Sequence, residues 1–473
     1  MEPVQLSDYI WEIPKHGSMN VPVVIYASSG LIKGMKKDIT LKQAMNVASL
    51  GGVLQNVYVM PDAHQGYGFP IGGVAAFSMD EGIISPGGVG YDINCGVRLL
   101  ATGYFEEDIK KSVKEILAEI LFLVPVGVGK KGKTRLTKKV LTKICLKGAK
   151  WAVENGYGTA DDLAGTEENG EMKGADFAFV SQRAMERALP QLGTLGGGNH
   201  FLEIQKVVKI YDEPRAKIFG INSPGQVMVM IHCGSRGLGH QVASDYIKLM
   251  KKESGTRGLP DVELINAPIK SSMGRQYYGA MGAAVNFAFA NRQMIAHQVR
   301  RAFKKVLGDF ETIDQIYDVC HNVAKFEEHE INGEQKMICV HRKGATRSFG
   351  PGRMEIPEIY RKTGQPVIIP GSMGTASYLL SGTTDAEQLS FGSTGHGAGR
   401  IMSRHEALRR FKGDRVLRDL QNMGIELMGT ALKNVAEEAP GAYKDVDDVV
   451  AVSHNSGMAN LVAKLVPLGV IKG

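Results

Sequence analysis

The chain has 473 residues, of which 43% are hydrophobic and 22% charged, enough to bury a sizeable core. Its 58 glycines follow no Gly-X-Y period and sit in no low-complexity tract, which excludes collagen-like and disordered chains. The net charge of +7 suits a polyanionic partner, and neither a signal peptide nor a run of 18 apolar residues is present, so a cytoplasmic protein without a membrane segment is expected.

In chain order, short strands are expected at Val21–Ala27, Val57–Met60, Val74–Met79 and Val97–Ala101, each bounded by Gly, Pro, Asp or Ser. Helical spacing follows over Ile109–Val124 and Leu136–Val153. Strands return at Phe201–Val208, Val227–His232, Met337–His341 and Val367–Pro370, with a long Ala-rich helix over about Ala280–Leu307. Two further helices are predicted over Ile401–Phe411 and Val416–Ala436. Mixed elements without regular βαβ alternation or linkers predict one α+β domain over 1–473, with a polar cleft lined by glycine loops and a surface insertion at 125–170.

The five cysteines form no CxxC pair and are odd in number, so reduced thiols are expected. Asp92 and Cys95 in YDINCGVR, His200 in GGGNHFLE, His232 in VMVMIHCGSRGLGH and His321 in IYDVCHN fall near strand ends. Five ligands are one too many for a single tetrahedral ion, but two ions sharing the Cys95 thiolate would use them all. Each histidine alone is more commonly an ordinary core or surface residue; it is their recurrence beside glycine loops that points to metal and phosphate. Gly127–Thr134 reads GVGKKGKT, a literal Walker A match with Lys133 in the phosphate position, but the preceding residues have helical spacing and no Asp-tipped partner strand follows. In GSTGHGAGRIMSRHEALRR, His396 is expected at a helix mouth with Arg400 and Arg404 on one helix face. It could be an inert loop residue, a further metal ligand or a nucleophile.

The segments PDAHQGYGFPIGG, YDINCGVR, LGGGNHFLE, HCGSRGLGHQ, HRKGATRSFGPG, PGSMGTASY and STGHGAGR, in this order over most of the chain, together resemble the RtcB family of RNA-splicing ligases. The resemblance implies joining of RNA 3′-phosphate or 2′,3′-cyclic phosphate ends to 5′-hydroxyl ends, with GTP as cosubstrate and two Mn²⁺ ions, in tRNA splicing or RNA repair. It implies Asp92, Cys95, His200, His232 and His321 as metal ligands and His396 as the guanylylated histidine. It further implies nucleotide contacts from Asn199, His200, Phe201, Leu202, Glu203, His321, Asn322, Pro370, Gly371, Ser372, Met373, Ser377, His396, Gly397, Ala398, Gly399 and Lys472; Tyr443, with Phe201, is a candidate for stacking on guanine. An archease-type activating protein is a further implied partner. Cys233 and Cys320, beside ligand histidines, are thiols that could alter metal choice. Arg236, Arg342, Arg347, Arg400 and Arg404 are candidates for RNA phosphate contacts. The competing readings are a P-loop NTPase built on Lys133 and a non-catalytic RNA-binding protein with a structural metal.

Overall fold

A computed structural model describes residues 2–429 and 431–473. Two large sheets carry the architecture. One has seven strands in the order Val4–Gln5, Ile10–Ile13, Val23–Tyr26, Val53–His64, Ile71–Ser78, Glu334–Lys343, Asn322–Ile331. The other runs Ile313–Cys320, Gly96–Phe105, Gln226–Cys233, Phe201–Ile210, Ala459–Lys472, Ser377–Gly382, Pro366–Ile369, with Glu426–Met428 added in parallel beside Ala459–Lys472. Pairing is otherwise antiparallel except between Val23–Tyr26 and Val53–His64, so the domain is α+β as expected. The chain crosses from one sheet to the other at His321, between strands Ile313–Cys320 and Asn322–Ile331.

The helix Ser272–Leu307 is longer than its Ala-rich core, because Ser271 caps its start by accepting from Gly274 N–H. Its small residues pack closely, and Ala280–Ala296 is buried throughout. Among the described residues no helix is long and apolar enough to cross a membrane. The helical pattern over Leu136–Val153 divides into Lys138–Lys147 and Ala149–Glu154 at Gly148, whose φ of +59° an L side chain adopts only with strain. Within 125–170, residues 129–135 are mostly exposed, while Leu141, Ile144, Cys145 and Ala152 belong to the main core.

Near the C-terminus the expected helices are shorter. The first spans only Arg404–Arg410, capped by Ser403, and the second ends at Asn422 before strand Glu426–Met428 and helix Leu432–Glu437. His396 therefore follows strand Ser393–Gly395 and heads no helix, and Arg400 lies outside Arg404–Arg410, so the expected one-turn pairing of the two arginines on a helix face is absent. The Walker-like segment is a loop following helix Val113–Leu123, and Lys133 Nζ lies 3.5 Å from the Phe122 ring centroid. A P-loop needs a buried strand there, so the NTPase reading fails.

Candidate active site

Strand register brings four separate segments to one end of the second sheet. Val97 and Phe201 both pair with His232, while Gly96 pairs with both Cys233 and Cys320. Cys95, His200 and His321 each adjoin one of these paired strands, and so converge with His232. Two overlapping groups result, Asp92/Cys95/His200 and Cys95/His232/His321, each with ligand atoms within 4.8 Å of one another. Cys95 Sγ is 3.2 Å from His232 Nε2 and 3.5 Å from His200 Nε2; His200 Nε2 lies 2.7 Å from Asp92 Oδ2, and His232 Nε2 3.4 Å from His321 Nε2. His200 Nδ1 lies between the Leu195 carbonyl at 3.1 Å and the Arg236 guanidinium at 3.2 Å, which turns Nε2 toward Asp92 and Cys95.

The donor set fits metal ions. Burial, with the neighbouring histidines adding to it, holds His232 and His321 well below the usual imidazole range, so both are neutral, the form that ligates. Burial and the Asp92 carboxylate push the Cys95 thiol well up, and a cation between these atoms would favour the thiolate. A thiolate shared by one group with a carboxylate and an imidazole and another with two imidazoles is a borderline-soft environment suited to two divalent ions. Gly234 is required beside it, because a Cβ there would lie 2.4 Å from Asp92 Oδ1.

The scaffold behind this cluster was not legible in the sequence. Arg292, fully buried on the long helix, donates to the Asn94 and Cys233 carbonyls at 2.9 and 2.8 Å and to the Asn94 side chain at 2.9 Å. Its remaining donors meet Asp318, which also accepts from Arg98 at 2.7 Å. One guanidinium thus fixes the turn before Cys95 and the strand end after His232. Cys233 Sγ turns away from the ligands toward the Leu195 carbonyl at 2.9 Å, and Cys320 is buried in the core, so neither thiol joins either ligand group.

The cluster opens into a cleft of about 400 Å³. Asn199, Phe201, Asn322, Pro370–Met373, His396–Gly399, Tyr443 and Lys472 line it. Leu202, Glu203 and Ser377 do not: Leu202 faces the core on the other side of the sheet, Glu203 is buried, and Ser377 accepts from Gly371 N–H behind the loop at 3.1 Å. Burial raises Glu203 to about 7, although Gln205, donating at 2.7 Å, and Lys472 oppose the shift. Lys472 Nζ stands 3.9 Å from Glu438, which also meets Tyr443, Arg400 and Arg404. The Arg400 guanidinium lies 5.0 Å from the Tyr443 ring centroid. Glu438 thus gathers the two arginines that helix spacing was expected to align.

His396 packs on His321, ring centroids 4.7 Å apart, and its Nδ1 is 2.5 Å from Asp62 Oδ2. The same oxygen accepts the backbone N–H groups of His396 and Gly397 at 3.0 and 3.1 Å. Those two amides are therefore turned toward a carboxylate rather than toward an incoming anion. Burial works against ionisation of Asp62, but His396 and Lys444 outweigh it and keep the carboxyl below its ordinary range. Asp62 is a buried acid between Pro61 and Ala63 on an apolar strand, a signal present in the sequence and not singled out there.

Two of the expected RNA contacts are corrected. Arg342 is buried and bidentate to Glu327 at 2.7 and 2.8 Å, and Arg347 is buried against Glu167 and Glu168 at 3.3 and 2.9 Å. Both hold the core together and present nothing to solvent. Arg236 instead lines a second pocket of about 750 Å³ with Arg187, Gln191, His240 and Arg404, reaching the ligand cluster from the Asp92 and His200 side.

An Asp/Cys/His donor cluster that fits metal ions thus opens into a glycine-lined cleft, with a histidine set against a carboxylate at its wall. A family model described as "tRNA-splicing ligase RtcB" matches residues 43–473. The chain is 54% identical to the tRNA-splicing ligase RtcB of Thermococcus kodakarensis, covering 100% of this chain and 99% of that protein. It is 52% identical to that of Pyrobaculum aerophilum, covering 99% of each, and 48% identical to the RNA-splicing ligase RtcB of Mycobacterium bovis, covering 91% of this chain and 100% of that one. The chain belongs to the RtcB family.

Proposed function

We propose that this RNA ligase joins RNA 3′-phosphate or 2′,3′-cyclic phosphate ends to 5′-hydroxyl ends in tRNA splicing or repair, using GTP and two Mn²⁺ ions, through a guanylylated His396. The observation that carries the reading is the Asp62–His396 contact beside the doubly grouped ligands of Cys95. A carboxylate on Nδ1 holds the imidazole in the tautomer whose Nε2 has a free lone pair, as the acid does in a Ser-His-Asp triad. His396 Nε2 attacks the α-phosphorus of GTP, the P–N bond forms and the P–O bond to pyrophosphate breaks, while Nδ1–H stays with Asp62. A cyclic end is first opened by water, whose oxygen bonds to phosphorus as the P–O2′ bond breaks and the 2′-oxygen takes up a proton; an oxygen of the RNA 3′-phosphate then attacks the α-phosphorus on His396, and the P–N electrons return to Nε2. Finally the 5′-hydroxyl attacks the activated 3′-phosphate, giving its proton to solvent or base, and GMP leaves.

Asp92, Cys95, His200, His232 and His321 would hold the ions, which supply Lewis-acid stabilisation of charge on the phosphate oxygens. Asn199, Phe201, Asn322, Pro370–Met373, Gly397–Gly399, Tyr443 and Lys472 would hold the nucleotide, with Glu203, buried within reach of Lys472, accepting from the guanine edge and Leu202 and Ser377 acting from behind through backbone and loop. An archease-type activating protein and a cytoplasmic setting belong to the same reading.

Incubation with GTP labelled at the α-phosphate, followed by intact mass analysis, tests it. Covalent GMP is expected on the wild type and none on His396→Ala, with metal content unchanged in the variant. Retention of the adduct by His396→Ala would require another nucleophile, and loss of metal with it would make His396 a ligand. Bound label without a bond in the wild type would favour the non-catalytic RNA-binding alternative.

A further inference from the structure

One wall of the His396 cleft has no role in the scheme above. It is formed by His64, Tyr67, Tyr91 and Lys343. Lys343 is buried, yet its ammonium meets only two backbone carbonyls, those of Tyr67 at 2.6 Å and Phe69 at 3.0 Å. Among the described residues it forms no ion pair, whereas Lys325, Arg342 and Arg347, equally buried, each meet a carboxylate. A buried cation without a counter-ion is costly, and one that lines a cleft is a place for an anion to complete. Burial lowers Lys343 to about 7, the Glu263 carboxylate, which accepts from Gly68 N–H, only partly opposing it, and an adjacent phosphate would restore its charge.

The same wall offers aromatic surface. Tyr67 and Tyr91 are half-buried and meet edge to face at 5.5 Å, and Tyr91 is supported from behind by His240, stacked at 5.0 Å. Rigid aromatic rings beside a cation are the usual means of holding a single-stranded terminal nucleotide, base on ring and phosphate on cation. The wall also adjoins the nucleophile: Lys343 is two residues from Ala345, which pairs with Gly395, the neighbour of His396.

We infer that His64, Tyr67, Tyr91 and Lys343 form the subsite for the last nucleotide of the RNA strand that carries the 3′-phosphate. The assignment to this strand follows from access. Its phosphate must reach the GMP on His396, and the second basic pocket, around Arg187 and Arg236, contains neither His396 nor the Pro370–Met373 loop. The inference rests on the proposed function, since it presumes two RNA ends and a histidine-bound GMP.

The test uses the full-length protein and separates the steps. Enzyme first labelled with GTP is mixed with a short RNA ending in 3′-phosphate, and transfer of GMP is followed in a single turnover as RNA concentration is varied. Tyr91→Ala and Lys343→Met are each expected to raise the half-saturating RNA concentration by about tenfold, the scale of one lost stacking or phosphate contact. Self-labelling by GTP and half-saturation by the 5′-hydroxyl strand should not move. Lys343→Met, but not Tyr91→Ala, should also reduce the preference for a 3′-phosphate over a 3′-hydroxyl end. Unchanged half-saturation by the 3′-phosphate strand, or a rise for the 5′-hydroxyl strand instead, would overturn the subsite. Fluorescence binding of the same 3′-phosphate RNA without GTP is measured in parallel: equal affinity of wild type and Tyr91→Ala overturns the subsite even if histidine labelling fails, and an unlabelled wild type with weakened variant binding overturns only the guanylylation scheme.

Discussion

Asp62 takes three contacts from the His396–Gly397 pair on a single oxygen: His396 Nδ1 at 2.5 Å and the backbone N–H groups of His396 and Gly397 at 3.0 and 3.1 Å. Side chain and backbone of the proposed nucleophile are thus fixed by one carboxylate. Asp62→Asn keeps the size but offers an amide to Nδ1, which favours the wrong tautomer. Histidine guanylylation should fall by about 10²–10⁴, the range seen when an orienting carboxylate is lost from a catalytic triad, while metal content stays at the wild-type level. A labelling rate within twofold of wild type would remove Asp62 from the mechanism.

Cys95 is the one residue common to both ligand groups. Cys95→Ser is expected to lose metal occupancy, measured by elemental analysis, together with ligation. Zinc should bind the wild type tightly, as a thiolate with imidazoles favours it, and support little ligation compared with manganese. Full activity of a metal-replete Cys95→Ser enzyme would argue against a bridging thiolate.

Lys133 stands over the Phe122 ring in an exposed loop and contributes to neither pocket. Lys133→Ala should leave guanylylation essentially intact. A loss of about 10³ in rate, the scale for removing a transition-state charge stabiliser, would bring the phosphate-binding reading of that loop back.

The residues that converge at the cluster were legible because ligand types recur at strand ends beside glycines, and strand register alone then brings them together. Two kinds of feature were not legible. Helix Ile401–Phe411 was misplaced because its apolar period starts before its cap: Ser403 stops the helix at Arg404, and Gly397 and Gly399 belong to the loop that wraps Asp62. Arg292 falls in the Ala-rich helical pattern, which assigns it no role, and Arg342 and Arg347 are, by sequence, candidates for RNA phosphate contacts. Their carboxylate partners Asp318, Glu327 and Glu168 lie 26, 15 and 179 residues away, and a local pattern carries no record of them.

Asp318 accepts from two buried guanidinium groups, Arg98 and Arg292, both fully inaccessible. Asp318→Asn leaves two cations with one neutral partner. Removing one member of such a buried set costs about 3–5 kcal/mol, so the midpoint of denaturant unfolding should fall markedly. Because Arg292 also fixes Asn94 and Cys233, metal affinity should fall with it; stability unchanged within experimental scatter would show that the pair is not integral to the fold.

Glu203 gives a pH dependence whose sign can be worked out. Burial holds its folded value at about 7, above the ordinary value of 4.5, despite Gln205 and Lys472. Below pH 4.5 it is protonated folded or unfolded and contributes nothing. As pH rises from 4.5 to about 7 the unfolded chain gives up the proton and the folded chain keeps it, so this group lowers stability across that window and adds no further slope above it. GTP affinity should run the other way. The carboxylate can accept from both N1–H and the exocyclic amine of guanine, and the protonated acid cannot do so twice. Affinity for GTP should therefore rise with pH up to about 7 and then level off, and the gain should be smaller for inosine triphosphate, which lacks the amine. In Glu203→Gln both the slope and the difference between the two nucleotides should disappear. Calorimetric titration at a series of pH values measures this directly, and a Gln variant with the wild-type slope would place the titrating group elsewhere and leave Glu203 as a buried acid behind Phe201.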